Sequence, residues 1–331
     1  MKLERIKAGP CGPPFPVYDD LVARLLAAHG AANEERNPLL AHVLGVCAGY
    51  AYSDIDTVAM IMARMGLDGH ACVRITQVVD SMYVFSTAYL IQSRCGRLLI
   101  LCYRGTEPAN LINWVGDNDV GSDLVALGDE TLKVHSGFHR NVVATRLPVI
   151  DELTLAVEGK SLLDPAERVD HPLEALFVTG HSLGGSMAAL FALSIVADPE
   201  HRAIAERLRA VYTFGQPLSV GEPLPNAARK LAPRLFRHAI AKDIVPLLPA
   251  APFGRLVHFG REYRYSNGEW QNSPTPIAQL QNIRELPRSM MASIGVRAGR
   301  RPRYTLDDHG AHRYVAALRF QAGVSEFGER V

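Results

Sequence analysis

The chain lacks any apolar run long enough to cross a bilayer. The longest, Met187 to Ala197, is interrupted by Ser194 and falls far short of the ~20 residues a spanning helix needs. It also has little cysteine. The five residues Cys11, Cys47, Cys72, Cys95 and Cys102 all lie in the first third, with no CxxC pair, which excludes a disulfide framework and reads as free thiols in a reducing compartment. Nor is there an excess of charge of one sign. Lys plus Arg (35) against Asp plus Glu (34) leaves +1 at pH 7, so no global field exists to hold nucleic acid. No apolar segment follows the positive charges near Met1, so no secretory signal is visible and a cytoplasmic location is the expectation. Internal repeats and low-complexity tracts are likewise missing.

What is present is the balance of an ordinary globular chain: 331 residues, 48% hydrophobic and 21% charged, enough for one large domain with a sizeable core. Charge is unevenly placed, with ten basic and fifteen acidic side chains in residues 1–130 and twenty-five and nineteen in 131–331. The Pro- and Gly-rich stretch 9–16 makes residues 1–18 an expected irregular arm. From Asp19 to Leu67 apolar residues recur at helical spacing. Cys72–Val79, Tyr83–Ile91 and Arg97–Tyr103 then read as strands, being short runs of Val, Ile, Leu and Tyr bounded by turn formers.

Further along, strands and helices alternate. Leu176–Thr179, Arg209–Phe214, Leu235–Ala241 and Arg255–Tyr265 read as strands, and Ser186–Ala197 and Gly310–Phe320 as helices. Such alternation predicts a single α/β domain, a mixed and mostly parallel sheet with helices on both faces. The stretch 266–303, rich in Pro, Met and Arg, reads as an insertion or cap on that core.

The sharpest local signal is Gly180-His181-Ser182-Leu183-Gly184, a G-x-S-x-G pattern with an apolar strand before it and a helix-forming run after it. A serine on so tight a strand-to-helix turn needs small neighbours for the turn to close. The helix N-terminus that follows favours developing negative charge. The bland alternative is a glycine-rich turn before a packed helix.

A serine hydroxyl becomes a nucleophile when a histidine takes its proton, and a carboxylate fixes that histidine's tautomer. Chains with this elbow run Ser, acid, His in order, which leaves His258, His309 and His312 as bases. Asp243 is the favoured acid because it follows the apolar run Leu235–Ala241, at the strand edge where sites of open α/β sheets collect. Asp198 is a rival on the wrong side of a helix. His258 sits within a strand-like segment and reads as packed, His309 in a loop just before a helix, and His312 inside that helix. Oxyanion donors are expected from the N–H of Leu183 and from the strand end Tyr103-Arg104-Gly105-Thr106.

These blocks resemble the class 3 lipases, the fungal triacylglycerol lipase type among the α/β-hydrolases. The resemblance runs through Tyr103–Thr106, Asn113-Trp114, Val134–Phe138, Thr179–Gly185, Thr213–Pro217, Asp243–Pro246, His258–Glu262, and Asp308-His309 with Tyr314. It implies Ser182 as nucleophile, Asp243 as acid, His309 as base, and Thr106 with Leu183 as the oxyanion hole. It also implies a lid over 107–119 whose apolar residues Leu111, Ile112, Trp114 and Val115 cover the site. The implied activity is hydrolysis of carboxylic esters of lipids, triacylglycerol first, through an acyl-enzyme. Phospholipids, short soluble esters or thioesters are alternatives for the same groups, and a non-catalytic binding protein is a remote one. No cofactor is implied. The spacing of His135 and His139 lacks the Glu of a zinc helix, so no metal is expected. The arginines of 261–303, beside Met290, Met291 and Ile294, suggest transient contact with a lipid interface.

Overall fold

The computed structural model describes residues 1–12, 15–28, 35–106, 121–250, 255–281 and 304–331. In chain order these form β1 (Lys2–Lys7), α1 (Leu21–Ala28), α2 (Pro38–Tyr50), α3 (Ile55–Met65), β2 (Ala71–Val79), β3 (Val84–Gln92) and β4 (Leu98–Tyr103). There follow β5 (Ser122–Leu127), β6 (Glu130–His135), α4 (Ser136–Val157), β7 (Ala175–His181), α5 (Leu183–Ala197) and α6 (Arg202–Ala205). The chain continues through β8 (Leu208–Phe214), α7 (Asn226–Leu231), β9 (Leu235–Ile240), β10 (Arg261–Ser266), β11 (Glu269–Ser273) and α8 (Ala311–Ala322).

Nine strands form one sheet in the order β1-β2-β3-β4-β7-β8-β9-β10-β11. Its centre, from β4 to β10, is parallel, and both margins are antiparallel. Strands β4 and β7 are buried along their whole length, as parallel strands covered on both faces must be. The two-residue period of an extended chain sends alternate side chains to opposite faces. Leu98, Ile100, Cys102 and Phe177 join a core with α1, α2, α3 and α8, while Leu99, Leu101, Tyr103 and Val178 join a second core with α4 and α5.

Helix α2 starts cleanly because Asn37 Oδ1 accepts the Leu40 N–H at 3.0 Å and Pro38 occupies the first turn. Helix α5 has no polar stripe. It lies between the sheet and α4, so Phe191, Leu193 and Ile195 are all buried, each stabilising the fold by about 1.5–3 kcal/mol.

Several expectations require correction. Residues 1–18 are not wholly irregular, since Lys2–Lys7 pair with β2 as the sheet's edge strand. Its charges concealed it, yet Lys and Glu on an edge are what keep such a strand from pairing with other chains. Glu4 bonds Arg74, and Arg5 bonds Glu152 of α4. The cap assigned to 266–303 is also wrong at its start. Residues 266–273 belong to the β10–β11 hairpin, closed by Asn267 and Gly268 at positive φ (53° and 87°), the backbone a two-residue hairpin turn requires. Residues 282–303 lie outside the described residues. The strand expected over Arg255–Tyr265 begins only at Arg261, after Gly260 at φ 85°. His139 lies in the first turn of α4.

Candidate active site

Strand β7 delivers Ser182 to the sheet's C-terminal edge, where it adopts φ 59° and ψ −131° before α5. A non-glycine residue there is strained and persists only where its surroundings hold it. The Ser182 N–H donates to Phe214 O at 2.9 Å, and the Gly185 N–H donates back to Ser182 O at 2.9 Å. Side chains at Gly180 and Gly184 are excluded by contact. A Cβ on Gly180 would meet the Gly184 backbone, and one on Gly184 would meet the carbonyl of Tyr103 and the backbone of Gly105. The glycines therefore let the elbow lie against the end of β4.

The ring of His309 bridges Ser182 and Asp243. Its Nε2 lies 2.8 Å from Ser182 Oγ and its Nδ1 2.8 Å from Asp243 Oδ2, although 127 and 66 residues separate the partners. All three residues are buried, at 1–3% exposure. A carboxylate only accepts, so Nδ1 carries the proton and Nε2 presents its lone pair to the serine hydroxyl. Asp243 gains two further donors, the Val245 N–H on Oδ1 at 2.8 Å and the Tyr314 hydroxyl on Oδ2 at 2.6 Å. Burial, then the carboxylate beside it, pushes the Tyr314 hydroxyl well above its usual range, so it stays a neutral donor. A buried charge requires such partners.

The segment ahead of His309 is tied to the loop that carries Asp243. Thr305 donates its N–H to Lys242 O at 2.8 Å and accepts from Ile244 N–H at 3.3 Å. Asp308 is held by Thr305, Oγ1 to Oδ2 at 2.9 Å. The remaining candidates lie elsewhere. Asp198 pairs with Arg146 at 3.6 Å, His258 Nε2–H donates to Pro246 O at 2.7 Å, and the ring of His312 lies over Gly310.

Thr106 follows Gly105, whose Cβ position would be 3.2 Å from Ser182 Cβ, so the end of β4 passes beside the serine. Leu183 opens α5, where helical N–H groups have no partner within the helix. Leu111, Ile112, Trp114 and Val115, with the rest of 107–119, lie outside the described residues. Three participants carry no role in the sequence reading, although each lies in one of the resembling blocks. Gly215, at φ 59°, leaves room for the His309 ring and Asp243, each about 3 Å from where a Cβ would stand. Val245 and Tyr314 are the other two. Tyr314 had a faint signal, lying five residues after His309 on the following helix.

His139 Nδ1 pairs with Asp123 at 2.9 Å and His135 stacks on Phe138. Among the described residues, no group of three or more His, Cys, Asp or Glu is arranged to hold a metal ion, and no helix is long and apolar enough to cross a membrane. A mainly apolar cavity of about 550 Å³ lies away from the serine, between β5, β6, α4 and α5, with Leu132, Val142, Leu190 and Leu193 in its wall. None of the three bridged residues lines it.

The parallel centre, the strained serine between strand and helix, and an aspartate and a histidine following it in chain order and joined to it by hydrogen bonds define an α/β-hydrolase fold. The Rhizomucor miehei lipase in its propeptide complex has the same fold, with a TM-score of 0.53 at 21% identity over 84% of this chain and 80% of that one. Residues 100–253 match the family model "Lipase (class 3)", so this segment is similar to that family. It is 32% identical over 198 residues to the triacylglycerol lipase OBL1 of Ricinus communis, covering 49% of this chain and 37% of that one. To the triacylglycerol lipase OBL1 of Arabidopsis thaliana it is 29% identical over 236 residues, 60% and 44% of the two chains. The chain thus spans less than half the length of these plant relatives.

Proposed function

We propose that the protein is a serine esterase that hydrolyses carboxylic esters of lipids, with triacylglycerol the first substrate to consider because two similar proteins bear that name. The reading rests on one observation, the Ser182–His309–Asp243 bridge with both contacts at 2.8 Å on a strained elbow. As His309 takes the hydroxyl proton, Ser182 Oγ attacks the ester carbonyl. Asp243 stabilises the resulting imidazolium, and the backbone N–H groups of Thr106 and Leu183, with the Thr106 hydroxyl, receive the oxyanion. His309 then protonates the leaving alcohol. A water that gives its proton to the same ring hydrolyses the acyl-enzyme, restoring Ser182 and releasing the acid. No cofactor is required for these steps.

Initial rates on p-nitrophenyl esters of graded chain length test the proposal, with Ser182→Ala as control. The expected result is activity rising toward long chains and reduced at least about 10⁴-fold in the variant. A maximum on the shortest esters would make the protein a soluble-ester hydrolase, and full activity in Ser182→Ala would remove Ser182 from the chemistry.

A further inference from the structure

The residue just before the nucleophile is a second histidine, and the reaction sequence above assigns it nothing. His181 is buried at the end of β7. Its Nε2 lies 2.7 Å from the backbone carbonyl oxygen of His309 and its Nδ1 2.8 Å from the hydroxyl of Tyr52. A carbonyl only accepts, so Nε2 must carry the proton. In a neutral ring Nδ1 then becomes the acceptor, and Tyr52 must donate to it. Each bond dictates the direction of the next, from Tyr52 through His181 to His309.

Burial, then the neighbouring His309, holds His181 well below the usual histidine range, which keeps one nitrogen an acceptor. The ring also stacks on that of His309, with centroids 4.6 Å apart and planes 30° apart, and meets Tyr314 edge-on at 5.4 Å. His181 therefore holds both the carbonyl and the ring of the residue that reaches Ser182. Its neutrality matters because His309 becomes cationic in the proposed cycle, and a charged ring stacked on it would repel that state.

Tyr52 is itself anchored. It lies just after α2, beside Ser53, whose carbonyl accepts the Tyr89 hydroxyl at 2.7 Å. Its own hydroxyl also abuts Gly105, where a Cβ would collide with it and with the His181 carbonyl. The same tyrosine thus borders the end of β4, which passes beside the serine.

We propose that Tyr52 and His181 form a positioning relay that sets the backbone and ring of His309 from the α2 side of the sheet. The proposal rests on the serine-esterase reading of Ser182, His309 and Asp243. Neither residue touches the reacting atoms, so both act through His309. That base lies in a single turn, Asp307–His309, where small displacements are possible, and a misplacement of about 1 Å can cost about 10²-fold in rate.

Three variants separate the relay from simple packing. Tyr52→Phe keeps the ring and removes the donor. His181→Gln keeps an amide donor near the place of Nε2, whereas His181→Asn has a group only near Nδ1 and loses the bond to His309. The expectation is a fall in kcat of about tenfold or more in Tyr52→Phe and His181→Asn with KM changed little, and kcat in His181→Gln within about threefold of native. Labelling of Ser182 by a phosphonate should slow in parallel with kcat, and thermal unfolding checks that each variant is folded.

In isotope-labelled histidine spectra, His181 of the native protein should be the neutral Nε2–H tautomer at neutral pH. Native kcat in both Tyr52→Phe and His181→Asn would overturn the relay. So would equal impairment of His181→Gln and His181→Asn, or an Nδ1–H tautomer. A native protein that neither turns over esters nor takes the phosphonate fails differently. That result removes the esterase reading itself, and an Nε2–H tautomer would then mark a structural pair without a positioning role.

Discussion

The two faces of the sheet are held by different means. On the α2 and α8 face, tyrosine hydroxyls make directional bonds: Tyr18 to His42 Nδ1 at 2.8 Å, Tyr89 to Ser53 O at 2.7 Å, and Tyr314 to Asp243 at 2.6 Å. On the same face the Asn37 N–H donates to the Tyr212 hydroxyl at 3.0 Å. On the α4 and α5 face the core consists mainly of Leu, Val, Ala, Met, Ile and Phe. Its tyrosine, Tyr103, buries a hydroxyl that has no hydrogen-bond partner among the described residues. Asp243 and His309 both meet the first face, through Tyr314 and through His181. The second backs the helix that follows Ser182. Dispersion and burial are non-directional and supply stability, whereas hydrogen bonds fix angles. A face that orients proton-transfer groups therefore carries hydroxyls, and a face that only supports a helix need not.

Substitutions on each side test the contrast. Phe191→Ala, in the centre of α5 and fully buried, should cost about 3–5 kcal/mol of stability, read by denaturant unfolding. If packing is that face's whole contribution, kcat of the molecules that remain folded should stay near native. A large fall in kcat would show that the second face also orients the site. Tyr314→Phe keeps the ring and removes a hydrogen bond to a charged group, so it should cost about 2 kcal/mol. It should also lower kcat by about tenfold, because Asp243 loses a donor while His309 remains. A loss of stability with unchanged kcat would reduce Tyr314 to a packing residue. The smallest effect has the opposite sign. Tyr103→Phe removes a hydroxyl that is buried without a partner, and should raise stability by about 1 kcal/mol. Destabilisation instead would mean that the hydroxyl has an unrecognised partner.

Legibility in the sequence followed distance along the chain. The elbow was readable because strand, serine, glycines and helix are contiguous, and their spacing reports a local steric requirement. Asp243 and His309 could be ranked from chain order and strand-end position, but their contact spans 66 residues and follows from the register of β9 and the pairing of Thr305 with the acid's loop. The β10–β11 turn is written plainly as Asn267-Gly268, but so short a signal is outweighed by the Pro- and Arg-rich stretch beyond it. Strand β1 was hidden for another reason. Its pairing with β2 follows from an open edge rather than from its own hydrophobicity.

By itself, then, the sequence determined the periods: apolar runs that must be covered on two faces, and a serine between glycines on a turn that needs them. Periods and tight turns act over a few residues, so they survive in a linear reading. Only the tertiary structure decided which hydroxyl meets which carboxylate, why Gly215 must lack a side chain, and that Tyr52 reaches His181 across 129 residues. Those contacts depend on how two faces close on one sheet, and a directional hydrogen bond forms only once that closure has set its distance and angle.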